Sequence, residues 1–444
     1  MPAPIGDHPD RVREEEQARV VDEGAAAPAP TETYRFMRVL LVVMVIVTLD
    51  FTKFLDKGNA LRYLILVVPF GEALLIRARS RTWLVRRASF GDKILLVLLL
   101  FGGVGSVCGR LFLHTSSTAL PIFIPMAMAF LYLLTLEQPT EDETRKILQA
   151  IAAIGLLYVL LNALANAGLA PTLKASRSYR NADVMYIALG FAALMFGRWR
   201  SPLVVLSLLA VFVFVTYPSA TAAMVMLVTL VTIFATRPRG SRARFYVTGI
   251  TVLLVLVVAL FGFGKTIQLA GDYFSAVGKQ NNTNARLALW EAGIEKFTQS
   301  PLFGDAFSGE TSITVYRQAG QRAPFHNPYN DDYILFLASG GVFGFLLLTS
   351  WIAWVEVTAY RRYRSFLATG DRCHAALTRA LLVGFNAWLT AAAFNPLFSG
   401  TGRSMSLFAM YGLMMVMGRP SPPPRSSPGL EGAQMRTTTE ASPG

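Results

Sequence analysis

The chain has 444 residues, of which 53% are apolar and only 16% are charged, and its mean hydropathy is +0.44. A soluble domain carries roughly 25% charged residues, so the chain is short of charge, although mean values alone would still be compatible with a soluble protein and the apolar runs must decide. The formal net charge of +13 does not indicate a nucleic-acid-binding protein, since the basic residues lie in short segments between apolar runs.

Apolar runs long enough to cross a bilayer recur along the chain. Residues 39–49 are apolar except for Thr48, and neither 95–107 nor 203–235 contains a charge. A helix of about 20 apolar residues spans a bilayer core, and these runs lack the alternation of barrel strands. The sequence therefore predicts an all-α integral membrane protein with about twelve transmembrane helices. We expect them at residues 36–54, 60–76, 94–113, 118–136, 147–168, 184–197, 202–216, 219–236, 245–264, 333–355, 378–394 and 404–418.

The distribution of Lys and Arg predicts the orientation of these helices. Basic residues cluster in segments 77–87, 237–244 and 361–372 and are sparse in the short loops that would face the opposite side. By the positive-inside rule those clusters face the cytoplasm, and both chain ends do too. We expect a multi-pass protein of the cytoplasmic (inner) membrane. The domains are a disordered cytoplasmic tail, helices 1–9, a long extracytoplasmic loop, helices 10–12 and a second disordered cytoplasmic tail, at residues 1–33, 34–264, 265–332, 333–418 and 419–444.

Motifs for metals, nucleotides or disulfides are not found in the sequence. Cys108 falls within a predicted helix and Cys373 in an inner loop, so we expect no disulfide between them. No cluster of His, Cys, Asp or Glu has the spacing of metal ligands, and no phosphate-binding loop is present. We therefore expect neither a metal nor another cofactor, and an ATP-driven pump is disfavoured.

The extracytoplasmic loop 265–332 is the segment where chemistry is expected, because loops of this length are usually functional or disordered. Residues 284–300 are typical of an amphipathic helix, which Pro301 would end. Its apolar face is predicted from the i, i+3, i+7 and i+10 positions. These are Leu287, Trp290, Ile294 and Phe297. Such a helix suits the membrane surface, with the indole of Trp290 at headgroup depth.

Two sequence motifs in and after this loop resemble those of a known family. The segment NARLALWEAGIEKFTQSPLFGDAF begins at Asn284, and HNPYNDDYILFLASGGVFG begins at His326. The first is similar to the R-x-x-x-W helix and the following P-[LF]-x-G of the O-antigen ligase and polymerase superfamily. The second resembles the His-Asn motif and the G-x-x-G helix of the same superfamily. The predicted twelve helices and the long outer loop before the tenth helix also agree with it.

The resemblance implies a membrane glycosyltransferase acting on the outer face of the cytoplasmic membrane. It would move a glycan from a polyprenyl-diphosphate carrier to an acceptor hydroxyl on a glycan, a glycolipid or a protein, with no metal and no nucleotide. A ligase and a polymerase are not distinguished by the motifs. Membrane lipids would be further partners, and nucleic acid would not.

The motifs also imply roles for individual residues. Arg286, four residues before Trp290, would hold the diphosphate, because a guanidinium binds phosphate oxygens in pairs and keeps its charge. His326 would act as general base on the acceptor hydroxyl, since histidine titrates near neutral pH. Asn327 would orient His326 or bind a sugar hydroxyl, or alternatively form an Asn-Pro turn. Trp290 and Tyr329 are further candidates for substrate binding.

The sequence departs from the family at two places. Many members have an arginine at the outer start of a mid-chain helix, where this chain has Ala220. Arg177 and Arg180, in the preceding outer loop, are candidate substitutes that would bind the diphosphate. Gly341 lies about one helical turn further from His326 than the family motif predicts, and Tyr329 stands where some members have a second histidine.

Two other kinds of protein remain compatible with twelve helices. One is a transporter, such as a lipid-linked oligosaccharide flippase, although transporters usually show repeat symmetry and ionisable residues at the membrane midplane. The other is a structural component of a cell-envelope complex with an inactive site, which the alanine at position 220 keeps open.

Overall fold

A computed structural model of the chain describes residues 34, 35, 37, 88–115, 119–133, 136–169, 184–216, 220–236, 280–309, 312–315, 325–328, 331–395, 397–398 and 401–418. Within these ranges it contains ten α-helices and two short β-strands. The helices are α1 (Phe90–Phe112), α2 (Leu120–Leu133), α3 (Glu141–Asn166), α4 (Val184–Phe196), α5 (Arg200–Thr216), α6 (Ala220–Ala235), α7 (Gln280–Gln299), α8 (Asp332–Ala368), α9 (Arg372–Ala392) and α10 (Thr401–Val416). The strands are β1 (Ser312–Val315) and β2 (Phe325–Pro328).

The described helices follow the apolar runs of the sequence. A helix lies at nine of the predicted spans, from α1 at 94–113 to α10 at 404–418, with α7 as an additional helix in the long loop. Predicted spans 60–76 and 245–264 lie outside the described residues, as does nearly all of 36–54. The total of twelve therefore stays a prediction. The antiparallel hairpin of β1 and β2 is an addition to the expected all-α fold.

The bundle has the character of a membrane-embedded protein. Four helices, α1, α3, α8 and α9, contain windows long and apolar enough to cross a membrane, and the other six described helices include shorter apolar ones. Only 28% of the apolar window of α1 is buried inside the bundle. Its Leu100, Val104 and Leu111 side chains are 53%, 56% and 61% exposed. A continuous exposed apolar face of this kind is what lipid covers.

Helix α9 forms the centre of the bundle, in contact with α3, α4, α6, α8 and α10. Its Phe385 and Trp388 are fully buried, the latter against Phe398 after the helix. Helices α3 and α4 approach each other at Gly155 and Gly190, where a Cβ on either residue would lie 2.5 Å from the other's Cα. Small residues at such a crossing let two helix backbones pack directly, as is common between membrane helices.

Arginines hold one end of the bundle together. Arg379 of α9 donates to the carbonyl of Ile233 at 2.6 Å and to the hydroxyl of Thr236 at 2.8 Å, at the C-terminus of α6. Arg362 of α8 donates to the carbonyls of Met414 and Met417, at the end of α10. The last carbonyls of a helix lack intrahelical partners and carry partial negative charge, which a cation stabilises. These arginines therefore stabilise the fold by connecting α8 and α9 to the C-terminal ends of α10 and α6.

Candidate functional site

Helix α7 carries two of the predicted site residues, Arg286 and Trp290. It begins at Gln280, four residues before the predicted start, and ends at Gln299, as the following Ser-Pro pair predicts. Ile294 on the predicted apolar face is 49% exposed, whereas Leu289, which is 1% exposed, and Gly293 form a second, buried face. The helix packs against α8 through this second face, and the side bearing Ile294 is partly exposed.

Helix α8 is broken at Gly341. This residue has φ 60° and ψ −164°, a conformation essentially confined to glycine. The turn that follows α7 bonds to the backbone on both sides of the break. Val342 N–H donates to the Pro301 carbonyl at 2.8 Å, Phe343 N–H to the Leu302 carbonyl at 3.0 Å, and Phe307 N–H to the Ser339 carbonyl at 3.0 Å. The segment Ser300–Gly309, here called the α7–α8 clasp, thus completes the hydrogen bonding of the broken helix.

A second glycine allows the clasp to approach α8 this closely. Gly304 has φ 59°, and a Cβ there would lie 2.5 Å from the Ser339 carbonyl oxygen and 2.9 Å from the Gly341 nitrogen. Ala306 and Phe307 also have positive φ, of 50° and 63°. Non-glycine residues in this region are strained and persist where the surroundings fix them.

An ion pair joins the clasp back to α7. Lys296 Nζ lies 2.7 Å from Asp305 Oδ2, and both side chains are 25% exposed. Lys296 also reaches Ser339 Oγ in α8 at 3.4 Å. The other oxygen of Asp305 accepts the N–H of Phe307 at 2.9 Å, which caps the strained turn. One lysine and one aspartate therefore connect α7, the clasp and α8.

Phe307 anchors the clasp in the bundle. It is fully buried, with its ring edge-on to Phe101 and Phe123. Helix α1 receives the clasp on a face of small residues, and Ser106 Oγ donates to the Phe307 carbonyl at 3.2 Å. A Cβ at Gly105 would overlap the Ala306 carbonyl oxygen at 1.7 Å, so only glycine permits this contact.

His326 and Asn327 lie in β2, which pairs antiparallel with β1 so that His326 stands opposite Thr314 and Asn327 opposite Ile313. Strand β1 also contacts α7. Because β2 ends only four residues before α8 begins, the hairpin, α7 and the start of α8 all meet at one end of the bundle. The sequence did not predict this hairpin.

The two carboxylates at the start of α8 have structural bonds. Asp331 is the N-cap, its Oδ1 accepting the N–H of Tyr333 at 2.8 Å, as expected for an aspartate before the helix. Asp332 is 1% exposed. Its Oδ2 accepts the N–H groups of Leu397 and Phe398 at 2.7 Å and 3.0 Å, which fastens the α9–α10 connection to α8.

The structure thus brings together the elements that carry four predicted site residues. Arg286 and Trp290 lie in α7, and His326 and Asn327 in the hairpin beside it. The Trp290 indole nitrogen is buried with no hydrogen-bond partner among the described residues. Arg177, Arg180 and Tyr329 lie outside the described residues, and Ala220 is the first residue of α6.

Sequence reasoning missed Lys296, Asp305 and the break at Gly341. Lys296 falls three residues after the buried Gly293 and seven after the buried Leu289, hence on the side of α7 that meets the bundle. A lysine on a buried face requires a partner. Asp305 lies nearby, in the turn that Pro301 and Gly304 predict after α7, so the sequence did offer a partner for this lysine.

No group of three or more His, Cys, Asp or Glu side chains that could hold a metal ion occurs within the described ranges. Both cysteines are free.

Comparison with known proteins bears on this end of the bundle. No curated protein matches the chain. The family model described as O-antigen ligase matches residues 204–349. That range extends from α5 through α6, α7, the clasp and the hairpin to the part of α8 just beyond the break. Residues 204–349 are therefore similar to the O-antigen ligase family, and the resemblance of the motifs to the O-antigen ligase and polymerase superfamily is confirmed.

Proposed function

We propose that the protein is a membrane glycosyltransferase that moves a glycan from a polyprenyl-diphosphate carrier to an acceptor hydroxyl on a glycan, glycolipid or protein. The observation that carries the proposal is the match to the O-antigen ligase family over the helices and the hairpin that hold Arg286 and His326. These elements meet beside the break in α8, where the clasp supplies hydrogen-bond partners to the backbone. The side chains alone perform the chemistry, without metal or nucleotide.

Arg286 holds the diphosphate of the donor in this proposal. The leaving group is a lipid diphosphate, whose negative charge must be stabilised while the glycosidic bond breaks. A guanidinium does this with paired hydrogen bonds and stays charged throughout. Arg177 or Arg180 supplies the second cation that the alanine at position 220 cannot. The indole of Trp290 offers a buried donor to an oxygen of the bound substrate.

His326 is the general base that takes the proton of the acceptor hydroxyl as it attacks the anomeric carbon. A sugar hydroxyl is a weak nucleophile near neutral pH, and a neutral imidazole within hydrogen-bond reach increases its reactivity. Asn327 and Tyr329, which flank Pro328 at the end of the hairpin, bind the acceptor or orient the histidine.

We assign this end of the bundle to the extracytoplasmic face. It lies opposite the end where Arg362 and Arg379 cap α10 and α6. The segments rich in arginine that are described, at 198–200 and 361–372, also belong to that opposite end. Since cytoplasmic loops carry the excess of Lys and Arg, the clasp and the hairpin face outward.

The proposed activity is tested by measuring release of the polyprenyl-diphosphate carrier. Purified full-length protein in liposomes receives a lipid-linked glycan and an acceptor, and the appearance of free polyprenyl diphosphate is measured together with the glycosylated acceptor. Arg286→Ala should abolish both, and Arg286→Lys should restore them only in part, because an ammonium cannot reproduce the paired hydrogen bonds. His326→Ala should lower turnover by about 10²–10⁴-fold with donor binding retained.

Matched controls are available on the same chain. His114 is exposed at the same end of the bundle, and Arg145 is an exposed arginine at the start of α3. Alanine at either position should leave transfer unchanged. Movement of the intact lipid-linked glycan across the bilayer without release of the carrier would instead identify a flippase, and neither product nor movement would favour a structural role.

A further inference from the structure

We propose that Lys296 and Asp305 are positioning residues that fix the angle of α7 against α8 and thereby hold Arg286 at the reacting centre. This inference rests on the proposed function, because it concerns the placement of the arginine that binds the diphosphate. It goes beyond that function by assigning a role to an ion pair whose two residues occupy none of the fixed positions of the R-x-x-x-W and P-[LF]-x-G motifs.

The first step is the geometry of the helix. Arg286 lies ten residues before Lys296 in α7, a distance of about 15 Å along the helix axis. A tilt of α7 by about 10° around Lys296 would therefore move the backbone at Arg286 by roughly 2.5 Å. Misplacement of a binding group by about 1 Å can lower a rate by about 100-fold. The C-terminal end of α7 must consequently be held firmly for the arginine to be useful.

The second step is that the apolar contacts of α7 do not fix its angle by themselves. Leu289 is buried, but hydrophobic contact is not directional. The opposite side carries Ile294, which is 49% exposed. Directional bonds are needed at the end of the helix, and the structure has them at Lys296.

The third step is the rigidity of what Lys296 binds. Asp305 Oδ2 lies 2.7 Å from the lysine nitrogen, and Asp305 Oδ1 caps Phe307 at 2.9 Å. The clasp is in turn fixed to α8 by backbone hydrogen bonds at Val342 and Phe343. Lys296 also reaches Ser339 of α8 directly. The ion pair thus connects α7 to a part of the backbone that cannot shift without losing its hydrogen bonds to α8.

A second ion pair with the same N–O distance occurs in α3 and serves as a control. Lys146 Nζ and Asp142 Oδ2 are also 2.7 Å apart, but their side chains are 50% and 68% exposed. They lie one turn apart on α3, so they connect no separate elements. Exposed pairs of this kind contribute little, and their removal should leave transfer unchanged.

The experiment measures transfer and helix position separately. Lys296→Met and Asp305→Asn keep the size of each side chain and remove its charge, and the double variant removes the pair. Each single change should lower kcat by roughly tenfold or more with little change in KM for the acceptor. The double variant should be no worse than either single one, because the two residues act as a unit. Lys296→Arg should recover most of the rate, and Lys146→Met should match the parent.

Helix position is read from two spin labels at Thr283 of α7 and Thr369 after α8, in a variant with Cys108 and Cys373 replaced by serine. Lys296→Met should broaden or shift the distance distribution, and Lys146→Met should not. An unchanged distribution in Lys296→Met overturns the proposal, as does a normal kcat. If even the parent transfers no glycan, the proposed function fails, while the label distances still decide whether the pair fixes α7.

Discussion

Gly341→Ala adds one methyl group at the break in α8, where the structure leaves no room for it. The backbone there has φ 60° and ψ −164°, which costs an L-residue about 1–3 kcal/mol. The new Cβ would lie 2.6 Å from the Gly304 nitrogen and from the Leu302 carbonyl group. These are backbone atoms, so the clasp must move and weaken its bonds to Val342 and Phe343, at about 0.5–1.5 kcal/mol each. The sum is roughly 2–6 kcal/mol.

The assay is thermal unfolding of the full-length protein in detergent, with glycan transfer measured on the same sample. Gly344→Ala is the matched control, because it lies three residues later in the same helix and its Cβ would meet Phe101 at an ordinary 3.4 Å. Alanine within a helix is favoured over glycine by about 0.5–1 kcal/mol. We expect the melting temperature to fall by roughly 2–6 °C for Gly341→Ala and to stay or rise slightly for Gly344→Ala. A Gly341→Ala protein that melts with the parent and transfers glycan normally would refute the account of the break.

Three further predictions use the same protein. Phe307→Ala should destabilise the bundle by about 3–5 kcal/mol, measured as a lower melting temperature, because its ring is fully buried; an unchanged melting temperature would show that the clasp is not anchored there. Asp332→Ala should cost more than Asp331→Ala, since Asp332 accepts two buried N–H groups whereas loss of an N-cap costs about 1 kcal/mol; equal melting temperatures would contradict this. Transfer should survive EDTA, and a loss that a divalent ion restores would contradict the metal-free mechanism.

The helices of the described bundle were largely predictable because lipid and protein core both require apolar side chains. Runs such as 203–235 carry no charge, and their ends are marked by proline, glycine or arginine. The short predicted helix at 184–197 is α4, at Val184–Phe196. The end of α7 at Gln299 followed from Pro301, whose ring cannot continue a helix. These signals are local, and a single sequence contains them.

The break in α8 was not predictable, because its cause is distant in the chain. Residues 333–355 read as one apolar helix, and a Gly-Gly pair within it is compatible with a continuous helix. What stabilises the positive φ of Gly341 is the clasp at 300–309, more than thirty residues earlier in the chain. The hairpin is a similar case, since His, Asn and Pro in β2 have little intrinsic preference for a strand.

The buried face of α7 shows a limit that is particular to membrane proteins. The predicted face at Leu287, Trp290, Ile294 and Phe297 is apolar, and so is much of the opposite side. In a soluble protein only the buried side of such a helix would be apolar. At a bilayer an apolar side can contact either protein or lipid, so apolarity does not identify the buried side. The contact face is decided here by α8 and by the ion pair of Lys296, neither of which the helical period contains.

The hydrogen bonds of the clasp restrict how the proposed site can move. In an apolar environment an unmade backbone hydrogen bond is expensive, about 1–3 kcal/mol for each buried group. Separation of α7 from α8 would leave the N–H groups of Val342, Phe343 and Phe307 without their present acceptors at once. The connection between these two helices is therefore among the stiffest at this end of the bundle. Any opening that admits a large glycan should carry α7 and α8 together, and displace the hairpin or the α9–α10 connection, which the Asp332 carboxylate bonds through the N–H groups of Leu397 and Phe398.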